Sequence, residues 1–279
     1  MELITSNDIL REYFPNVLLE VDDELAFYDK IKGYLRSAEQ WLSANILGSA
    51  YVLEGSALNI ARRITVDRAL AQAIPSLDLV LTPNGLGIVS TESLAPASKE
   101  RVERLIGSLE SSASAHLEIL LDMLREDAKW RSSRQGSYFC GTLVNSFQEI
   151  SRWRGESDLL SAFARVRDLA LLFEAQLRDA YFGNSVVNSL IKSHNEGDDT
   201  EEIVYIIDRV KEVENRYIDF HIRDQKFKHA DTLELWKLVN PLVSLLRTAP
   251  ELYQSWRSEM EDAFTVAPFK NNVQGGYFF

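Results

Sequence analysis

The sequence predicts a mainly α-helical protein, built of helical bundle segments with one or two small β-hairpins. Three observations carry that prediction. Apolar residues recur at three-and-four spacing through most of the 279 residues. Ser and Asp stand before those runs, and Gly or Pro stands after them, as helix ends require. Only two stretches, near 77–91 and 264–279, change to short β-type runs around a turn.

The elements follow in order. Ser6-Asn7-Asp8 opens a short helix to Phe14, closed by Pro15. The acidic turn Asp22-Asp23-Glu24 leads a long amphipathic helix with Leu25, Tyr28, Ile31, Leu35, Ala38, Leu42 and Ile46 on one face, stopped by Gly48. Ser56 begins another helix, with Ile60, Ile64, Leu70, Ala73 and Ile74 inward, ended by Pro75. Leu77–Leu81 and Gly87–Ser90 then read as strands around Thr82-Pro83-Asn84-Gly85, where Asn-Gly accepts positive φ. Ser98 caps a helix from Lys99 to Lys129, with Val102, Leu105, Ile106, Leu109, Leu117, Leu120, Leu121 and Leu124 as its stripe. Its middle, Ser111–Ala115, is small and polar, as a bend or a close approach would require.

Ser132–Ser137 is polar and marks the expected boundary between an N-terminal helical domain, 1–131, and a C-terminal one, 138–279. Beyond it, Ser157–Asp179 is strongly helical and Gly183 ends it. Ser185–His194 is a shorter helix, and the acidic turn at 196–202 leads another through Ile203, Ile206, Val210, Val213, Tyr217 and Phe220. Asp231–Thr248 continues the pattern with a kink at Asn240-Pro241, and Glu251–Ala263 completes the helices. The tail, Phe264–Phe279, reads strand, turn, strand. A weak internal echo appears at an offset of 175, which places Glu39 on Glu214 and Ile31 on Ile206.

Composition narrows the function. Thirty Lys and Arg against 42 Asp and Glu give a net charge of −12, which repels the phosphates that supply non-specific nucleic-acid affinity. Each half, cut at Gln135, is −6, so neither is a basic module and no sequence-specific nucleic-acid binding is expected. The single cysteine, Cys140, cannot form an internal disulfide and reads as a small buried hydrophobe. The N-terminus lacks a signal-peptide pattern, and charge-free runs such as Gln135–Gln148 are too short to span a bilayer. A cytoplasmic protein is expected, with no membrane partner.

No catalytic pattern stands in the sequence. The four histidines are His116, His194, His221 and His229. His221, Asp224 and His229 could form a three-ligand metal site, but no Cys or His-Glu-x-x-His pattern joins them, and capping explains a helix-end histidine. Ser189-Leu190-Ile191-Lys192 fits Ser-x-x-Lys without that class's companion motifs. Gly85-Leu86-Gly87 lacks the third glycine of a dinucleotide loop, and no Walker-type lysine loop is present. No catalytic, cofactor-binding or metal residue is therefore assigned.

Two arms remain as candidate interaction sites. Leu79, Leu81, Asn84, Gly85, Gly87 and Val89 form the first, and Tyr277, Phe278 and Phe279 end the second. They pair with each other in one chain, or one adds its edge to a neighbouring subunit. Lys129, Arg131 and Arg134 make a local basic patch, a candidate contact surface, although cations at a helix end also complement its dipole.

Leu77–Val89 and Ala95–Ile106, with the acidic-turn start, resemble an uncharacterised, domain-of-unknown-function family encoded in prophage-like regions of Bacteroides-type gut bacteria. Ala38-Glu39-Gln40-Trp41-Leu42, following the acidic turn, is similar to a stretch in the first long helix of phage head–tail connector (adaptor) subunits. These are small helical proteins that form a ring beneath the portal, and this chain is about twice their length. The resemblance implies a virion-assembly protein acting by oligomerisation, with itself and portal or tail proteins as partners, and no cofactor. The alternatives are a small-molecule or metal-dependent enzyme near His221, Asp224 and His229, and a monomeric helical protein-binding module.

Overall fold

In a computed structural model the chain is mainly α-helical and divides into two compact units, Met1–Phe139 and Cys140–Phe279. The structure describes residues 2–13, 27–48, 51–77, 79–82, 85–88, 98–155, 158–197, 200–222 and 229–261, with the backbone alone at 79–82, 85–88, 229–236 and 261. The expected C-terminal arm at 264–279 lies outside these residues.

The first unit begins with α1 (Asn7–Tyr13), where the Ser6 hydroxyl accepts the Ile9 N–H at 3.3 Å. Helix α2 (Phe27–Leu42) buries Ile31, Leu35, Ala38, Glu39 and Leu42. It runs into a π-helical turn, Ser43–Leu47, that closes on Gly48 with φ +86°. Helix α3 (Gly55–Leu77) is buried around most of its girth, including Ile64, Val66, Ala69 and Leu70. Pro75 does not end it. A proline in the last turn forfeits a single backbone bond, and the helix closes two residues later.

Helix α4 (Lys99–Glu126) buries Leu109, Ala113, Leu117, Leu120, Leu121 and Leu124. The same stripe fails towards its start: nothing from 99 to 108 is buried, and Leu105 is 41% exposed. The helix also stops three residues before the expected Lys129. Asp127 turns extended, with φ −86° and ψ 109°, and its carboxylate accepts the Lys129 N–H at 2.7 Å. That cap starts α5 (Ala128–Arg131), and α6 (Arg134–Phe139) follows. Gly136 admits no side chain, because a Cβ there would lie 1.9 Å from the Trp130 carbonyl oxygen.

The second unit opens with α7 (Phe147–Ile150), extended by a 3-10 turn to Trp153. Helix α8 (Leu159–Leu177) starts on Asp158, whose carboxylate accepts the Leu160 and Ser161 N–H groups at 3.0 Å each. It passes through a π-helical turn, Arg178–Phe182, to Gly183. Helix α9 (Asn184–Glu196) ends on left-handed Gly197. Helices α10 (Glu201–Ile222), α11 (His229–Leu245, with Pro241 inside it) and α12 (Pro250–Trp256) follow. Phe173, Phe182, Leu190, Ile206, Val210 and Leu246 lie in one core.

The two units repeat one device. In the first, the Glu39 carboxylate of α2 accepts the N–H groups of Leu3 and Ile4 at 2.7 and 3.0 Å. In the second, Glu174 of α8 accepts the Leu143 N–H at 2.8 Å. Each of these buried glutamates stands nine positions before a glycine that ends a π turn. Those glycines have matching backbones, φ/ψ 86/153° and 78/166°. Each donating segment leads into a serine-capped short helix, at Ser6 and at Ser146. The structure thus pairs Glu39 with Glu174, not with Glu214 as the sequence echo did. Amphipathic stripes match at many registers, whereas a buried carboxylate and a positive-φ glycine fix one.

Candidate functional site

Between α3 and α4 the backbone of β1 (Leu79–Thr82) pairs antiparallel with β2 (Gly85–Ile88). Thr82 opposes Gly85, leaving a two-residue connection of Pro83 and Asn84. Leu77, expected in the first strand, belongs to α3. The register places 79, 81, 86 and 88, all aliphatic, on one face of the ribbon. Val80, Thr82, Gly85 and Gly87 share the other. No third strand joins the pair among the described residues. Asn84, Val89, Tyr277, Phe278 and Phe279 lie outside the described residues.

The basic patch is partly committed to local structure. Arg131 donates to the carbonyl of Arg125, closing the end of α4, as the helix-end explanation expects. Lys129 and Arg134 are exposed. Asp127 beside them accepts a 2.5 Å hydrogen bond from the Tyr51 hydroxyl. That bond holds the Asp127 carboxyl below its ordinary range, while burial and the same bond push the Tyr51 phenol up to about 12.

Among the described residues no group of three or more His, Cys, Asp or Glu could hold a metal ion. His221 donates from Nδ1 to the Tyr217 carbonyl at 2.8 Å, one turn back on α10. Asp224 and the His229 side chain lie outside the described residues. Cys140 is buried.

The connector-like stretch has a physical reading at each position. Ala38 and Leu42 are buried, Glu39 fastens the N-terminal segment, and Arg68 of α3 stacks 3.5 Å from the Trp41 ring centre. Arg62 and Arg63 of α3 donate to the carbonyls of Leu3 and Tyr13, each at 3.0 Å. Buried Asp67 accepts from Arg63 at 3.0 Å and from Ser112 of α4 at 2.6 Å. The small residues in the middle of α4 thus serve close approach to α3.

Sequence reasoning missed a buried ionic cluster in the second unit. Glu174 and Glu214 are both 0% exposed. Arg178 reaches the second oxygen of Glu174 at a long 3.5 Å, and Lys211 bonds Glu149 at 2.8 Å. Both Glu214 oxygens lack a hydrogen-bond partner. Burial raises the Glu174 carboxyl to about 7 against the pull of the Leu143 N–H and Arg178. Burial, and then the charge of Glu174, raises Glu214 well above the ordinary carboxylate value. The signal was a glutamate within each inward stripe, between Phe173 and Leu177 and between Val213 and Tyr217.

Residues 22–140 match the model of a family of unknown function, DUF6712. The match runs from the acidic turn before α2 to the residue after α6, so it covers most of the first unit and under half of the chain. It contains both segments, 77–89 and 95–106, that carry the resemblance to an uncharacterised family. No curated protein matches the chain, and no solved structure does. Among the described residues no helix is long and apolar enough to cross a membrane.

Proposed function

We propose that this protein is a structural component of phage or prophage virion assembly, a connector-like ring subunit acting by oligomerisation with copies of itself and with portal or tail proteins. The observation that carries the reading is the β1–β2 hairpin between α3 and α4. A two-stranded ribbon is marginal on its own in water, and this one sets four aliphatic residues on one face. A ribbon of this kind suits strand addition by a neighbouring copy, and head-to-tail use of such an arm builds a closed ring when the rotation closes. The sparsely buried start of α4 and exposed Leu77, which flank the arm in the chain, offer further apolar surface. A net charge of −12 suits a ring that DNA traverses without being gripped. Such a subunit works in the producing bacterium and then in the virion.

The test replaces Leu79–Ile88 by a short Gly-Ser linker and compares sedimentation velocity of the two full-length proteins. Assembly of the parent and a monomeric variant with unchanged helical circular dichroism is the expected result. A variant that assembles like the parent overturns the reading.

A further inference from the structure

We infer that Glu214 is a proton-binding site and that packing of α10 against α7 and α8 requires it to be loaded, making the second unit a pH-sensitive element. The geometry carries this by counting partners. Three carboxylates meet in the cluster: Glu149 from α7, Glu174 from α8 and Glu214 from α10. Lys211 is committed to Glu149 at 2.8 Å. Arg178, in the turn after α8, sits 3.5 Å from Glu174, and Arg167 of α8 also acts on Glu174. Glu174 already accepts the Leu143 N–H. Among the described residues Glu214 is left with no donor on either oxygen, and it has no exposure. An ionised carboxylate in that position is unpaired and dry, whereas a protonated one is tolerated.

Among the described residues, several other charged groups of the neighbouring helices are engaged elsewhere. Lys192 and Glu196 of α9 pair with each other at 3.8 Å on the surface. Lys237 of α11 is exposed. On α10 itself, Glu212 pairs with Arg209 and Arg216, Asp219 accepts the Trp153 indole N–H, and His221 bonds the Tyr217 carbonyl. His194, in the last turn of α9, is half-buried.

An acid whose native pKa lies above its unfolded one binds more protons folded than unfolded. Stability is therefore fully present below the unfolded value and falls as pH rises through the native one. The window runs from the ordinary carboxylate range, about 4.3, upward through neutrality. Chemical denaturation of the full chain at fixed protein concentration, from about pH 5 to about pH 8, reads it directly. The parent's midpoint is expected to fall across the window. Glu214→Gln, which supplies a permanent neutral group, should flatten the fall and exceed the parent at the alkaline end. Glu212→Gln, on the same helix but paired at the surface, should leave the parent's slope unchanged. A parent midpoint independent of pH, or an equal slope in Glu214→Gln, overturns the inference. Should Glu214→Gln not fold, infrared spectroscopy of Glu174→Gln with labelled glutamate decides, because the raised Glu174 carboxyl then no longer contributes. A protonated carboxyl band near neutral pH supports the site, and its absence refutes it.

Discussion

Trp130→Ala should be among the most damaging single substitutions in the first unit, costing about 3–5 kcal/mol. The ring is 0% exposed, and its indole N–H donates to the Ile46 carbonyl at 2.9 Å. It thereby ties α5 to the π turn after α2, across 84 residues of chain. The same ring stacks on Phe139, with centres 6.2 Å apart, and the Trp130 backbone carbonyl lies against Gly136. Truncation removes a large, fully buried side chain and leaves a buried carbonyl without its indole donor. Trp130→Phe refills most of the volume but not the hydrogen bond, so it should lose about 1–3 kcal/mol. Urea denaturation of the three proteins checks the order. A Trp130→Ala loss below about 1.5 kcal/mol would mean the site is not the anchor described.

Glu39→Ala is the second large effect, expected at about 2–5 kcal/mol from two buried N–H groups that lose their acceptor. Leu3 and Ile4 are 2% and 3% exposed, so water does not replace the carboxylate without opening the N-terminal segment. Glu39→Gln keeps a carbonyl oxygen at the same reach and should retain most of the stability. Hydrogen exchange at the Leu3 and Ile4 amides separates the two: fast in Glu39→Ala, slow in Glu39→Gln and in the parent. Equal exchange in all three would show that the glutamate does not hold the segment.

The helices were legible where a stripe, a cap and a stop coincided. Asn7–Tyr13 lies behind its Ser6 cap, and the stop at Gly183 falls where the glycine stands. Ends set by tertiary structure were not legible. Asp127 reads as a mid-helix residue until its carboxylate is seen capping Lys129, and Pro75 reads as a terminator although the last turn absorbs it. The repeated device was hidden for a related reason. Glu39 and Glu174 sit in stripes whose apolar spacing matches at several registers, and only the bonds they accept from distant backbone groups identify them as equivalent. The backbone pairing of 79–82 with 85–88 was legible in Asn84-Gly85 and its aliphatic flanks. The buried cluster was not, because charge in a helical stripe usually reads as a solvated face and the neighbours of Glu214 come from three helices and a turn.

The proposed role requires that this polypeptide associate with itself. Light scattering of the intact chain during size-exclusion chromatography is the most direct measurement, and a mass several times the 31.7 kDa of one chain is expected. A mass of one chain at every concentration, with its helices fully formed, would contradict the proposed role.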